Sequence, residues 1–431
     1  MLLPDTLGFE RAVANGLRLH VLPTDRFKTY ALSLYIGAPL EEQTVTSTAL
    51  VPFVLRRGTQ ALPETRSFRR KLDELYGAGF GFDIYKRGDN QIIHFRLDMI
   101  EDRFVAGNGR MLREAIAFLG DCLTHPFLAE GTFSGKYVQE EKETLRKRLE
   151  AIINDKMRYA AERCIAEMCK QEPYRLHQLG RIEDLKAITE QSLYERYQEW
   201  LALSPIDLYV VGNTTLEEVQ EIVQRSFRLP QTRNQEADYR RTAVDVPVKE
   251  VNRVTERLDV TQGKLNMGLR TYTTYGDEDY AAALVYNGIL GGYAHSKLFI
   301  NVREKASLAY YAWSRLDGHK GIMTIQTGID MDHYDKTNAT IQEQLEAMRS
   351  GSIEQLEYDQ TIAMLRNQLT EIQDSAFEMI AFDFNNRLSG KERSTNGLIR
   401  EIEGVGLEDI RRIANKVKLD TIYFLTGRKG E

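Results

Sequence analysis

The feature that most limits the fold of this chain is a plan that its sequence follows twice. The segment "LYERYQEWLALSPIDLYVVGN" places Leu193, Tyr197, Trp200 and Leu201 on one helical face and then enters an apolar run that ends at Gly212. The segment "LEDIRRIANKVKLDTIYFLTG" has the same order near the C-terminus, and its helical face holds Leu407, Ile410, Ile413, Ala414 and Val417. Helical spacing followed by a short β-rich run predicts one helix and one strand in each segment.

The two halves also begin alike. The segments "YALSLYIGAPLEE" (30–42) and "KLNMGLRTYTTYGDEDYAAALVYNGIL" (264–290) each lead from a strand through a turn and acidic residues into an apolar helix. We interpret this as an internal duplication, and the alternative is two unrelated α/β domains with similar ends. The polar, aperiodic residues 231–249 are typical of a linker. The predicted domains are therefore residues 1–230 and 250–431.

The first half also contains a predicted β-hairpin. In "GFGFDIYKRGDNQIIHFRLD" a turn at residues 86–90 separates two strands, and Ile93, Phe95 and Leu97 alternate on one face of the second strand. His94 is expected on the opposite face, at the surface of the sheet. Hairpins mixed with long helices favour an α+β fold. We expect two homologous domains, each a largely antiparallel β-sheet layered with helices.

Charge and composition exclude several classes of function. The net charge of −6 argues against non-specific binding to nucleic acid and against electrostatic binding to an anionic membrane surface. The most apolar stretch, residues 280–294, is too short to span a bilayer, and the N-terminus lacks the pattern of a signal peptide. The three cysteines have no metal-type spacing. We expect a cytoplasmic protein.

The spacing of the histidines decides the metal question at this level. The two that lie nearest to each other, His319 and His333, are too far apart to be neighbours on one helical turn. An HxxEH zinc motif in either order is therefore excluded. A site assembled from distant histidines stays open as an alternative. The glycine-rich "GAGFGF" lacks the Walker lysine and the third Rossmann glycine, and there is no Gly-x-Ser-x-Gly elbow.

Three stretches together carry a family resemblance that covers nearly the whole chain. They are "VLRRGT" with the hairpin that follows it, "EPYRLHQLGRIEDLKAITEQSLYERY" with "SPIDLYVVGN", and "GGYAHSKLFINVREKASLAYYAWS" at residues 291–314. With these stretches the chain resembles the insulinase/pitrilysin/processing-peptidase family of zinc metallopeptidases, and especially its non-catalytic bacterial members. The resemblance implies that the two domains form half of a clamshell.

In active members of that family, the segment that ends in the basic-Gly-Thr signature carries His-x-x-Glu-His. Alignment on residues 58–59 puts Ala49 and Phe53 at the two histidine positions and Pro52 at the position of the glutamate that activates water. A methyl group and a phenyl ring do not bind zinc. Proline supplies no side-chain base and also removes a backbone N–H.

The third zinc ligand of the family is a glutamate on a later helix. Its position falls near Arg148 in this sequence, with Glu143 and Glu150 as alternatives. One carboxylate without two histidines does not retain zinc. The resemblance therefore implies that this chain binds no metal and is not an enzyme on its own.

A second family motif is present in the C-terminal half. Arg303 and Tyr310, in "NVREKASLAYY", match the arginine and tyrosine that family members project toward the peptide in the active site. A guanidinium and a phenol are suited to a substrate carbonyl or to a developing oxyanion. In the alternative, Arg303 pairs with a helix carboxylate and Tyr310 packs in the sheet, and Tyr311 could be the exposed residue instead.

The resemblance thus implies a non-catalytic subunit of a heterodimeric zinc peptidase. The partner would supply HxxEH and the zinc, and this chain would close the chamber and contribute Arg303 and Tyr310 to the binding of an unfolded or extended peptide. The alternative is a purely structural or assembly subunit with no peptidase partner. Peptidase activity of this chain alone is disfavoured by the histidine spacing.

Overall fold

The computed structural model of the chain describes residues 8–105, 110–230, 233–234 and 236–427. Residues 1–7 and 106–109 of the first predicted domain, residues 231, 232 and 235 of the predicted linker, and residues 428–431 of the second predicted domain lie outside the described residues. The strands are β1 Glu10–Ala14, β2 Leu17–Pro23, β3 Thr29–Pro39, β4 Gly79–Arg87, β5 Asn90–Ile100, β6 Leu128–Ala129, β7 Thr132–Phe133, β8 Ile206–Gly212, β9 Asn252–Leu258, β10 Gly263–Arg270, β11 Ala309–Asp317, β12 Ile322–Ile329 and β13 Lys418–Gly427.

Helices account for most of the remaining chain. The α-helices are α1 Val45–Leu55, α2 Thr65–Glu74, α3 Met111–Thr124, α4 Gly135–Asn154, α5 Lys156–Met168, α6 Glu190–Leu203, α7 Leu216–Ser226, α8 Tyr280–Asn287, α9 Tyr334–Ser350, α10 Gln355–Glu371, α11 Ala376–Ser389, α12 Thr395–Glu403 and α13 Leu407–Lys416. Two π-helical segments, Gly288–Gly292 and Phe299–Lys305, follow α8. None of the helices in the described part of the chain combines the length and apolar character that crossing a bilayer requires.

The two large sheets share one strand order. The first sheet runs β1-β2-β8-β3-β5-β4 and the second runs β11-β12-β10-β13-β9. Read from the β4 and β11 edges, each strand of the second sheet has a counterpart in the first, and β1 is the additional strand. Both sheets are antiparallel except for one matching pair, β2 with β8 and β9 with β13. The predicted α+β fold, with a largely antiparallel sheet in each half, is confirmed.

The repeated helix–strand pairs that the sequence predicts are also confirmed, as α6 with β8 and α13 with β13. In the first pair the predicted apolar face of α6 is buried. In the second pair Ile410, Ile413 and Ala414 are buried, but Leu407 is exposed. Leu407 is the first residue of α13 and precedes the residues of that helix that join the core of the second half.

Each half contributes one helix to the sheet of the other half. Helix α5 belongs to the first half, but its residues Ala160 and Cys164 pack against Tyr423 and Leu425 of β13. Helix α11 of the second half packs in return on the first sheet, where its residue Phe384 joins a buried apolar cluster. Both sheets are consequently covered on both faces, and the two halves are held together by reciprocal burial of apolar surface.

This exchange explains why the expectation for His94 is wrong. His94 does not lie at a solvent-exposed sheet surface; it is buried and stacks on Tyr35, with ring centroids 4.0 Å apart. The other side of Tyr35 stacks on Phe384 of α11, with centroids 3.8 Å apart. Burial, together with charge repulsion from Arg96 and Arg87, lowers the pKa of His94 to about 3. Local alternation identifies two faces of a strand, but α11, a helix far away along the chain, decides that both are covered.

A buried ion network joins the halves. The amine of Lys320, in the turn between β11 and β12, is fully buried and lies 3.0 Å from Asp89 and 2.8 Å from Glu172. Glu172 also accepts a 2.6 Å hydrogen bond from Arg270 of β10, which pairs with Asp420 at 3.0 Å. Since Asp89 and Glu172 belong to the first half and the other three residues to the second, this network fixes one half against the other.

A second polar network lies where the predicted linker crosses the first sheet. Asp207 of β8 is fully buried and accepts hydrogen bonds from Arg18 at 2.5 Å, from His20 at 2.8 Å and from the Tyr239 hydroxyl at 2.6 Å. Burial alone would raise the pKa of Asp207, but the His20 hydrogen bond and the charge and hydrogen bonds of Arg18 outweigh it. The net pKa therefore lies well below its usual range.

The Asp207→Asn variant is expected to be less stable than the wild type at neutral pH by on the order of 2 kcal/mol. An aspartate whose pKa is lower in the folded than in the unfolded state contributes stability above the unfolded pKa, near 4, and loses it as the pH falls toward the folded pKa. The difference between variant and wild type should therefore shrink below about pH 4. Urea denaturation at several pH values measures it.

Asp238→Asn is the control for this prediction, because Asp238 also contacts Arg18, at 3.1 Å, but its side chain is largely exposed. A surface pair of this kind contributes about 0–1 kcal/mol. A stability difference for Asp207→Asn that stays constant down to about pH 2 would contradict the assigned role of the carboxylate.

Candidate functional site

Helix α1, which carries the positions of the zinc motif, is buried in the core of the first half. Ala49 and Phe53 are fully buried, and the helix packs against α4 and α6. Pro52 lies inside the helix, where it offers neither a side-chain base nor a backbone N–H. These positions present only hydrocarbon where an active enzyme would present two imidazoles and a carboxylate.

The ring of Phe53 is enclosed by one aromatic and two cationic side chains. Phe82 of β4 meets it edge-on, with centroids 4.9 Å apart. The guanidinium groups of Arg148 and Arg56 lie 4.8 Å and 5.6 Å from the ring centroid. Such cation–π contacts stabilise the packing. The same two positive charges would repel a divalent metal ion at this place.

Helix α4 supplies the three residues considered for the third ligand position. Glu143 and Glu150 both pair with Arg146 on the same helix, Glu143 at 2.5 Å. Arg148 is the one of the three that contacts Phe53. Within the described ranges, no group of three or more His, Cys, Asp or Glu side chains is arranged to hold a metal ion.

Arg303 lies on the π-helical segment Phe299–Lys305, beside the edge strand β11. Its side chain is 40% exposed, and its guanidinium is 3.5 Å from Glu304 and stacks over the ring of Phe299 at 4.5 Å. Short π-helical segments are rare in proteins and are found frequently at functional sites. The Phe299 ring thus contacts one face of the Arg303 guanidinium, and the N–H donors of the guanidinium remain accessible to solvent.

Tyr310 projects from the start of β11, and a bulge in the strand is the reason. The pairing of β11 with β12 shifts between Ala309 and Tyr311, which leaves Tyr310 as the extra residue. Bulges redirect a side chain out of the regular alternation of a strand. Tyr310 is 55% exposed and donates a 2.8 Å hydrogen bond to Asp330. The hydrogen bond and the negative charge of Asp330 raise the pKa of Tyr310.

The sequence left open that Tyr310 packs in the sheet and Tyr311 is the exposed residue. In the structure it is the neighbouring Tyr311 that packs against the sheet. Its ring lies flat over Gly328 of β12, where a Cβ atom would collide with it. Tyr310 is therefore the more exposed of the two tyrosines. Sequence reasoning did not identify Asp330, which holds Tyr310, because Asp330 belongs to no motif and its contact depends on the tertiary structure. It also did not single out Phe299, which lies within the stretch 291–314, four residues before Arg303 on the same helical segment.

The paired sheets, the exchanged helices and an α1 whose motif positions hold Ala49, Pro52 and Phe53 define a class of protein, namely chains with the fold of two-domain zinc peptidases that lack the zinc motif. A family profile described as "Peptidase M16 inactive domain" matches residues 187–365. The chain is 40% identical over 420 residues to "Probable inactive metalloprotease YmfF" of Bacillus subtilis (strain 168), a match that covers 96% of this chain and 97% of that protein.

Two further comparisons agree with that match. "Uncharacterized zinc protease YmxG" of the same organism is 24% identical over 242 residues, which covers 56% of this chain and 58% of that protein. The crystal structure of a conserved protein from Enterococcus faecalis V583 superposes with a TM-score of 0.87 at 32% identity and covers 96% of this chain and 97% of that one. The chain belongs to the M16 (insulinase/pitrilysin/processing-peptidase) family, among its inactive members.

Proposed function

We propose that this chain is the non-catalytic subunit of a two-chain zinc peptidase. A partner of the same family would carry HxxEH and the zinc ion. This chain would close the chamber over the substrate and contribute Arg303 and Tyr310. The observation that carries the proposal is the bulge at Tyr310, which directs a phenol toward solvent from an edge strand.

The packing at the zinc-motif positions also supports a complex in which the partner chain, and not this chain, carries the zinc ion. Ala49, Pro52 and Phe53 are integrated into a packed core, and Arg148 stacks on Phe53. We infer that the chain itself holds no zinc, so the metal of a working peptidase would have to come from the partner. The name of the relative YmfF, which describes an inactive metalloprotease, is in keeping with this inference.

We further propose that the substrate is an unfolded or extended polypeptide and that the complex works in the cytoplasm. A closed chamber would admit a flexible chain and exclude a folded domain. The cysteines Cys122, Cys164 and Cys169 are all free and buried. Burial raises the pKa of Cys122 to about 12, so that its thiol stays protonated and unreactive at neutral pH. Free thiols of this kind are usual in a reducing compartment.

Co-expression with a candidate HxxEH chain is the direct test. We expect the two chains to co-elute in size exclusion and to cleave an unstructured peptide in a chelator-sensitive reaction, whereas this chain alone binds no stoichiometric zinc. A partner with glutamine in place of the motif glutamate is the control for contaminating proteases. Equal cleavage by the partner with and without this chain would reject the proposal.

The second candidate function is a purely structural or assembly subunit. It is favoured by the contacts within the chain that already engage the two motif residues, Asp330 with Tyr310 and Phe299 with Arg303. Failure to co-elute with any candidate HxxEH chain, together with no cleavage by the mixture, would favour this function over the first.

A further inference from the structure

A pocket of about 520 Å³ lies where the segment between the two halves meets both of them. Residues 238–242 of that segment form one wall. The turn between β4 and β5 belongs to the first half, and the loop after β10, the turn between β11 and β12 and the end of α11 belong to the second. The volume falls in the range of small-molecule binding sites in proteins. The pocket is separate from Phe53, Arg303 and Tyr310, none of which lines it.

The lining is strongly basic, although the protein as a whole is acidic. Arg87, Arg240, Arg241 and Arg387 line the pocket, against one carboxylate, that of Asp238. The chain carries a net charge of −6. An excess of positive charge around one pocket of an acidic protein is a feature that attracts anions.

The carboxylates in reach leave much of this charge uncompensated. Asp238 lies 3.6 Å from Arg387 but only 3.1 Å from Arg18. Arg240 is 3.8 Å from the nearest carboxylate, Glu41. For Arg87 and Arg241, no ion pair is formed with any carboxylate in the part of the chain that the structure describes. Arg87 donates a single hydrogen bond, to the carbonyl of the preceding residue, and stacks over Tyr85.

Hydrogen bonds and ring stacking hold the walls of the pocket in place. Thr242 accepts a 2.9 Å hydrogen bond from the backbone of Asp89, and the neighbouring Gly88, at a φ of +53°, has no room for a side chain against Thr242. The ring of His319 stacks on Tyr275, with centroids 5.4 Å apart. Burial and the charge of Arg87 lower the pKa of His319 to about 4, so the imidazole is neutral at physiological pH.

We propose that this pocket binds a small phosphorylated molecule, whose anionic oxygens are held by Arg87, Arg241 and Arg387. Guanidinium groups present parallel N–H donors that match the oxygens of a phosphate, and such charge-assisted pairs are stronger than neutral hydrogen bonds. Hydroxyl groups of Thr242, Thr274 and Ser389 add polar partners on the same walls. The C-terminal dipole of α11 opposes an anion here, and Arg387 in its last turn offsets it.

Binding at this place has a consequence for the whole chain. The three arginines come from both halves, Arg87 from β4, Arg241 from the connecting segment and Arg387 from α11. A ligand that binds only the folded arrangement stabilises it by mass action. The phosphorylated molecule should therefore raise the temperature at which the two halves separate or unfold.

Calorimetric titration of the full chain with pyrophosphate, at constant ionic strength, tests the proposal. We expect saturable binding at one site, a higher thermal midpoint with pyrophosphate present, and weaker binding at higher salt. Arg241→Gln and Arg87→Gln should each lower the affinity by roughly tenfold or more, because a charged hydrogen-bond partner is lost. Arg241 is exposed, so its substitution should leave the fold intact.

Arg257→Gln is the matched control, because Arg257 is an exposed arginine on the remote edge strand β9. It should bind pyrophosphate like the wild type. Absence of saturable binding by the wild type would overturn the proposal. So would equal affinities of the Arg241→Gln and Arg257→Gln variants, which indicate non-specific charge attraction, or binding of an acidic peptide in preference to pyrophosphate.

Discussion

Replacing Arg303 by alanine is expected to slow peptide cleavage by the two-chain complex by about 10²–10³-fold, the range found when a single donor to a developing oxyanion is removed. The guanidinium stands on the ring of Phe299 and keeps its donors accessible, so its loss should affect the reaction and leave the packing of this chain unchanged. The readout is the rate of cleavage of an unstructured peptide by the co-purified pair, with complex formation checked by size exclusion.

The same experiment with Tyr310→Phe isolates the hydroxyl group. That group donates to Asp330 in this chain, and it would have to turn toward the substrate to act in the reaction. We expect a reduced rate with unchanged melting temperature. Arg257→Ala, an exposed change at the opposite edge of the same sheet, is the matched control. If the Arg303→Ala and Tyr310→Phe complexes both cleave as fast as the Arg257→Ala complex, the two motif residues have no part in catalysis.

Replacing Lys320 by methionine is expected to destabilise the chain by about 3–5 kcal/mol, because it leaves the buried carboxylate of Asp89 without its cation and removes one of the two cations that pair with Glu172. Lys320 is fully buried and neutralises Asp89 and Glu172 from the first half. Methionine keeps most of the volume of the lysine stem, so the effect measures the lost charge and not a cavity. Urea denaturation followed by circular dichroism gives the free energy of unfolding.

The matched control is Lys147→Met, since Lys147 is a mostly exposed lysine that lies 3.6 Å from Glu143 on the surface of α4. An exposed pair of this kind contributes about 0–1 kcal/mol. A loss for Lys320→Met no larger than that of Lys147→Met would mean that the buried network does not hold the halves together. Separate unfolding of the two halves in the variant would locate the effect at their junction.

Much of the fold was predictable from local patterns. The helix–strand pairs ending at Gly212 and Gly427 and the hairpin of β4 and β5 were read from spacing alone, and the structure has them. The exchange of α5 and α11 was not predictable. Each helix has an apolar face, and nothing in its own sequence says which of two similar sheets covers that face.

Some features of the candidate site were likewise predictable from the sequence, and others were not. The absence of paired histidines is visible in the sequence, because metal-ligand chemistry belongs to individual side chains. The contact of Arg148 with Phe53 and the bulge that exposes Tyr310 instead of Tyr311 are not visible there. The first joins residues on two helices, and the second depends on how β11 pairs with its neighbour.

The sequence by itself determined that the two halves of the chain follow the same order of helices and strands and that no helix carries adjacent zinc-binding histidines. Both conclusions rest on periodicity and residue chemistry, which are local properties. Only the tertiary structure decided that each half covers the other's sheet, that Lys320 bridges the halves and that four arginines converge on one pocket. These features depend on contacts between residues far apart in the chain, and the free energy of such contacts is set by packing, burial and charge in the assembled fold.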